Sequence, residues 1–384
     1  MTEVFFWLAV ATLVLVAGLT LEFARGNRLV RKLRDVPPFT GQSAPRVSIV
    51  VAARDESRGI QEALQSALRQ NYPQLELIVV NDRSTDSTGA ILERMAAHNP
   101  RLRTLSISSL PPGWLGKNHA LQRGAAIATG EFLLFTDADV VMEPTTVSRA
   151  IQAVTSMQLD HLTLSPQLRM NGLLLNMFAG AFTLFFGMYA RPWKARDPRS
   201  KCHIGIGAFN LLRAEVYRKI SGHSALAMRP DDDMKLGKLV KKTGHRQEML
   251  FGDGMIHLEW YTSFGELVRG LEKNSFSGFE YNLGLALGGM LMHFLIFIWP
   301  VAAIWLTGGI TRLLNIAILL LLAALYTDNV RPHALRRWHC IGLPLTAALF
   351  LYILARAIFK TIREDGITWR GTHYSLADLR ANRI

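Results

Sequence analysis

Residues 4–21 carry no charge, and only small residues and threonines interrupt their apolar side chains. At 1.5 Å per residue such a helix nearly crosses a hydrocarbon core of about 30 Å, with Glu3 and Glu22 falling at the two interfaces. A cleaved leader is the rival reading. It lacks support, because Glu3 is the one early charge and no A-x-A site follows. Arg25, Arg28, Arg31, Lys32 and Arg34 come next, and the positive-inside rule places that flank in the cytoplasm and the start of the chain outside. Three more apolar runs, 283–306, 313–326 and 341–359, crowd the last third. The first and last are long enough to span, whereas the middle one is short and reads as interfacial or re-entrant. Three crossings here would leave the tail 361–384 outside, and two or four would leave it inside.

Composition narrows the classes further. Apolar residues make up 49% of the 384 and charged residues 19%, against a usual charged share of about 25%, which excludes a disordered or acidic solvating chain. Cys202 and Cys340 are too far apart for a CxxC metal site and too few for a disulfide framework. The formal charge is +13, and residues 191–246 hold fourteen Lys and Arg against five acids. Anionic lipid headgroups account for such a stretch. A nucleic-acid partner is not expected, since no interleaved aromatic and basic residues accompany the charge.

Between the anchor and the last apolar cluster, strand and helix patterns alternate. The β-branched run 47–53 reads as a buried strand, 60–68 as a helix with Ile60, Leu64, Ala67 and Leu68 on one face, and 75–80 as a strand ending in Asn81-Asp82. A helix over 88–95, capped from Ser84, Thr85 or Ser87, a strand over 102–107, a helix over 118–128 and a strand over 131–136 complete the series. This order predicts an α/β fold with a doubly wound, mostly parallel sheet. Ligands of such sheets bind outside the carboxyl ends of the strands. Arg54-Asp55-Glu56, Asn81-Asp82 and Asp137-Ala138-Asp139 all follow strands, so chain direction alone gathers several carboxylates on one rim.

Asp137 and Asp139 suit a hard cation, met directly or through water, since Mg²⁺ and Mn²⁺ take oxygen ligands from carboxylates and substrate phosphates. Asp82 can accept from a base N–H or ribose hydroxyls, while Ser84 to Ser87 make an ordinary polar turn and cap. Asp231, Asp232 and Asp233 precede Met234, Leu236 and Leu239 at helical spacing. Such acids complement a helix dipole, and mutual repulsion raises some of their pKa values. A carboxylate fixed at a helix start is a good general base. The histidines show no HExxH spacing, and His119, His203, His223 and His257 read as polar structural residues.

The segments VSIVVAARDES, VVNDRSTDST, PPGWLGKNHALQRGAAIATG and FLLFTDAD together resemble membrane-bound family 2 glycosyltransferases of the GT-A fold. The PPGW…GK segment looks most like bacterial enzymes found with hopanoid and carotenoid genes. The resemblance covers most of residues 45–275. It implies a nucleotide-sugar donor (a UDP-sugar first), Mg²⁺ or Mn²⁺, and inversion at the sugar carbon. Asp82 would then hold the nucleotide, Ala53 and Glu56 would lie near its base, Lys117 and Asp137 would support the donor, and Asp139 would coordinate the metal. Asp233 would be the base with Asp232 preceding it, in register with Leu236 and Gly237. Gly207, Phe209 and Asn210 resemble the loop that meets the acceptor. Trp260 would lie on the acceptor side, or in an interfacial aromatic belt. The Q-x-x-R-W motif of processive polysaccharide synthases is missing where Trp260-Tyr261-Thr262-Ser263 stand.

The expected organisation is an anchor over 1–24, a catalytic domain over 45–275, apolar spans over 283–360 and a tail over 361–384. The tail's Gly366 to Gly371 resemble a terminal element held on the cytoplasmic side. The apolar stretch 173–190 is expected to lie in the interface or packed on the domain, with a buried core helix as the alternative, because a crossing there would put Asp139 and Asp233 on opposite sides of the bilayer. The function that follows is a single transfer of sugar to a lipid acceptor at the inner (cytoplasmic) membrane, by a multi-pass protein whose catalytic domain is cytoplasmic. A processive polysaccharide synthase and a non-catalytic nucleotide-sugar or lipid binding protein are the alternatives.

Overall fold

A computed structural model describes residues 2–384. The chain forms two units, one holding Val30–Arg169, Ala190–Glu259 and Ala381–Ile384, the other the chain up to Leu29, Met170–Tyr189 and Trp260–Arg380.

The first unit is built on a seven-stranded sheet in the order β3-β2-β1-β4-β8-β6-β9. Its strands are β1 (Val47–Ala53), β2 (Leu75–Asp82), β3 (Leu102–Ile107), β4 (Phe132–Thr136), β6 (His161–Ser165), β8 (Asn210–Arg213) and β9 (Gln247–Phe251). Six of the seven residues of β1 are buried, as a β-branched run in the middle of a parallel sheet requires. β1 pairs parallel with both β2 and β4, Ala53 facing Asn81 and Val51 facing Thr136. The three strands therefore end level, and the acids that follow them share one rim. β8 runs antiparallel to β4 and β6, so the sheet is mixed rather than wholly parallel. A small second sheet joins β5 (Val141–Met142), β10 (Ile256–Glu259) and β7 (Gln167–Arg169).

The helices α2 (Ile60–Leu68), α3 (Thr88–Ala97), α4 (Gly116–Ile127), α5 (Thr146–Ser156), α7 (Ala214–Lys219) and α8 (Asp232–Lys242) complete this unit. Val50, Leu121, Leu133, Phe135, Leu212 and Leu236 form part of a core that seats α4 and α8. α4 starts two residues earlier than the sequence pattern suggests, which brings Lys117 into its first turn.

The second unit contains α1 (Thr2–Leu29), α6 (Leu173–Ala190), α9 (Phe264–Ser275), α10 (Leu283–Phe297), α11 (Trp299–Leu306), α12 (Gly309–Asn329), α13 (Leu343–Arg363) and most of α14 (Leu376–Ala381), with a hairpin of β11 (Gly366–Trp369) and β12 (Thr372–Ser375). Among the described residues, Glu3–Leu29, Leu173–Lys194, Gly309–His333 and Arg337–Arg363 are long and apolar enough to cross a membrane. A bent pair, Phe264–Phe279 with Leu283–Phe297 at 111°, could add a fifth.

Two runs differ from their sequence reading. The short middle run becomes part of the 21-residue α12, in which Asn315 donates to the Thr311 carbonyl and Asn329 to Thr183. The run 283–306 is broken at Ile298, where Pro300 opens a new helix. α1 and α12 run in the same direction. Arg28 meets Asp328 at 3.5 Å at one end, and Phe5 lies 5.4 Å from Trp299, on the α11 arm that leads into α12, at the other.

Candidate active site

The loops after β1 and β2 are laced together by acids that sequence alone does not separate from ligand-binding ones. Asp55, at a left-handed φ of 53°, accepts from the Thr85 amide at 2.7 Å and the Thr85 hydroxyl at 3.2 Å. The Thr85 amide bond leads the effects that hold its pKa below the usual carboxylate value. Asp86 accepts from the Ser57 amide at 3.0 Å and the Thr88 amide at 2.9 Å. These two brace the rim.

Asp82 closes β2 and is 3% exposed. Its two oxygens accept from Arg83 at 2.7 and 3.0 Å, and Arg54 stands 3.8 Å away. The α4 start lies directly against it: a Cβ on Gly116 would come 2.3 Å from Asp82 Oδ2. Glycine there lets the next residue, Lys117, reach inward. Lys117 Nζ is 2.8 Å from Asp137 Oδ1 and 3.7 Å from Asp232 Oδ1. Burial works against its charge, yet Asp137, Asp232 and Asp233 outweigh burial and hold its pKa well above the ordinary lysine value.

Asp139 is the counterpart. Burial first, then the charges of Asp137 and Glu56, push its carboxyl up to about 7. Among the described residues no three His, Cys, Asp or Glu side chains form a metal cage. Asp139, with Asp137 and Glu56 raising its charge cost, nevertheless fits Mg²⁺ or Mn²⁺, which are held by one or two carboxylates and complete their shell with water and substrate phosphates.

The three adjacent acids of α8 divide their work. Asp231 accepts two bonds from Arg229 at 2.9 and 3.0 Å and lies 3.5 Å from Lys235, and Arg229 is 1% exposed. Asp231 is thus fixed in an internal ion cluster. Asp232 faces Lys117 and lies 3.9 Å from the buried His223, which burial holds down at about 3 and therefore neutral. The Asp233 Oδ2 accepts from the Gly207 amide at 2.8 Å. Its pKa is raised by burial and by Asp137, with Lys117 opposing. Gly207 also abuts Asp137: a Cβ there would sit 2.7 Å from Asp137 Oδ2. A side chain at this position would separate the strand-end acids from those of α8.

The other candidates fall elsewhere. The Ala53 methyl is buried at the end of β1, and Phe209 and Asn210 are core residues, 0% and 2% exposed. The Phe209 carbonyl accepts from Thr163 at 2.7 Å, and Asn210 Oδ1 lies 3.0 Å from His161 Nε2 and 3.4 Å from the Ile206 amide. Their side chains shape the loop that presents Gly207. Trp260 belongs to the helical unit, its ring 4.5 Å from Phe182. The sequence reading passed over Arg54, Arg83, Arg229 and Asn118. Arg83 and Arg54 each adjoin a rim acid in sequence, which is the signal that could have found them.

The mixed sheet is that of the GT-A glycosyltransferase fold. It is shared with a mannosyltransferase from Pyrobaculum calidifontis solved in complex with GDP-Man and Mn²⁺ (TM-score 0.55, 20% identity, 94% of this chain and 99% of that one). The family model described as Glycosyl transferase family 2 matches residues 48–221, so the chain carries a domain of that family over those residues. It is 21% identical to a 4,4'-diaponeurosporenoate glycosyltransferase of Staphylococcus haemolyticus over 74% of this chain and 72% of that protein. It is 31% identical to a beta-monoglucosyldiacylglycerol synthase of Nostoc over 35% of this chain and 27% of that protein.

Proposed function

We propose that the protein transfers a single sugar from a nucleotide sugar, a UDP-sugar first, to the hydroxyl of a membrane lipid with inversion. One observation carries this reading: Lys117 joins Asp137 to Asp232, and Gly207 separates Asp137 from Asp233 by one peptide. The residues read as donor-side and as acceptor-side thereby stand next to one another, which supports one shared site. Asp82 holds the nucleotide, with Ala53 (through its main chain) and Glu56 near the base. Asp139 would hold Mg²⁺ or Mn²⁺, which when bound would neutralise charge on the leaving diphosphate. Lys117 adds a second positive charge. Asp233 takes the proton from the acceptor hydroxyl as that oxygen bonds to the anomeric carbon, and the nucleoside diphosphate leaves with the electrons of the broken C–O bond. One displacement gives one inversion. Asp232 keeps Lys117 in place.

Two relatives whose names contain diaponeurosporenoate and diacylglycerol support a lipid acceptor, as does the missing Q-x-x-R-W motif. Membranes holding the chain, incubated with labelled UDP- and GDP-sugars, are expected to yield one lipid product heavier by a single sugar. A polymer ladder would favour a polysaccharide synthase, and no product from any donor would favour a binding protein. EDTA is expected to abolish transfer and Mn²⁺ or Mg²⁺ to restore it. Full activity in EDTA would remove Asp139 from its role.

The helices support a multi-pass protein at the inner membrane with its catalytic domain in the cytoplasm. Residues 381–384 fold with the sheet unit, so an even number of crossings separates residue 260 from residue 381. α1 and α12 run the same way, which suits α10–α11 leaving the cytoplasm and α12 returning. Arg331, Arg336 and Arg337 then lie on the cytoplasmic side, in keeping with the positive-inside rule. α13, whose Arg356 and Lys360 pair with Glu272, lies along the interface. α6 does likewise, since the chain on both sides of it belongs to the sheet unit. In a chain freed of its native cysteines, a cysteine at Gly308 is expected to react with an impermeant reagent from outside. One placed after residue 384 is expected to react only once the cells are permeabilised. The opposite pattern overturns this topology.

A further inference from the structure

The last four residues follow the helical unit in sequence yet belong to the sheet unit. They close on the loop that leads into α8. Asn382 Oδ1 accepts from the Met228 amide at 3.0 Å, and its Nδ2 donates to the Ala225 carbonyl at 3.0 Å. One side-chain amide thus satisfies a main-chain donor and a main-chain acceptor three residues apart, groups that would otherwise lie poorly solvated beside a core. The Asn382 carbonyl also lies 3.5 Å from an Arg229 guanidinium nitrogen, and Ile384 packs on the cluster that includes Leu226, Leu236 and Val240.

The opposite side of the same loop is gripped by the start of α4. Buried Asn118 donates to the Leu226 and Arg229 carbonyls at 2.6 and 2.9 Å, and the Leu115 amide donates to the Ala227 carbonyl at 2.8 Å. The loop is therefore held between the helix that carries Lys117 and residue 382. It ends in Arg229, whose two bonds fix Asp231, the residue before Asp232 and Asp233. The Gly207 amide on Asp233 and Lys117 facing Asp232 hold the start of α8 from the other side.

We propose that Asn382 is a positioning residue for the acids Asp232 and Asp233, which makes the segment beyond the helical unit a working part of the site. This rests on the reading of Asp233 as the base. A base displaced by about 1 Å loses on the order of a hundredfold in rate, and loss of one of two grips on the loop is expected to cost less, about tenfold.

The test uses the full chain in membranes, with Asn382→Ala and Asn382→Asp. The aspartate keeps the acceptor for the Met228 amide and loses the donor to Ala225. Three quantities are read: kcat for transfer, KM for the nucleotide sugar, and hydrogen–deuterium exchange over residues 225–233. Asn382→Ala is expected to speed exchange in that segment alone and to lower kcat about tenfold, with KM within about twofold of wild type. Asn382→Asp should fall between. Unchanged exchange would mean that no clasp forms. Faster exchange with wild-type kcat would mean that the clasp positions nothing. Faster exchange across the whole sheet, with donor KM rising as kcat falls, would mean a general structural role. Each of these three outcomes overturns the proposal. Asp233→Asn, run alongside, reports on the base itself: normal turnover there removes that reading, while the exchange measurement still decides whether the clasp exists.

Discussion

Asp233→Asn is expected to lower turnover about a thousandfold, within the range general-base catalysis supplies, while donor affinity stays within a few-fold of wild type. Asparagine has the same shape, and its carbonyl oxygen can still accept from the Gly207 amide, now 2.8 Å from the carboxylate. What disappears is the capacity to take a proton. Steady-state kinetics with the nucleotide sugar varied would check both halves, and wild-type kcat would remove Asp233 from the role. The wild-type pH profile carries a further signature. A base works only when deprotonated, and burial with the Asp137 charge raises the Asp233 pKa. The acid limb of kcat should therefore lie above the ordinary carboxylate range, with activity falling as pH drops through it.

Lys117→Met is expected to lower kcat/KM by about a hundredfold or more, and to act on donor binding as well as on turnover. Lys117 bridges Asp137 and Asp232 at 2.8 and 3.7 Å, and Asp232 is nearly buried. Lys117 and Asp137 are partly exposed, so removing Lys117 leaves chiefly the buried Asp232 uncompensated. The direction of the pH effect is fixed too. Lys117 lowers the pKa of Asp233, so its loss lets that pKa rise, and the residual activity should move to higher pH. Lys117→Arg keeps the charge, but its planar fork does not reproduce a compact ammonium set between two carboxylates. It should recover only part of the loss. A Lys117→Met variant with unchanged donor KM and an unmoved acid limb would show that the bridge is incidental.

The catalytic architecture was legible to the extent that it depends on local pattern and chain direction. The β-branched run 47–53 forms a buried central strand, and parallel pairing puts the acids after β1, β2 and β4 on one rim. The roles within Asp231-Asp232-Asp233 could not be separated by spacing. Three adjacent acids look alike until Arg229 takes Asp231 and Lys117 faces Asp232. Phe209 and Asn210 read as acceptor-facing from their loop, yet they are buried, because β8 begins at Asn210 and turns both into the core. Asp55 looked like a rim acid of equal standing with Asp82, until the Thr85 amide showed it to be a brace.

Sequence by itself determined the apolar runs, the α/β order and the rim of carboxylates, since hydrophobic period and strand direction are properties of neighbouring residues. Tertiary structure alone decided which carboxylate joins an internal ion pair with Arg229 and which meets the Gly207 amide. It also decided that α12 runs alongside α1 and that Asn382 returns to close the loop before α8. Each of these depends on contacts between residues tens to hundreds of positions apart, where the identity of the partner, not the local pattern, sets charge, proton affinity and direction.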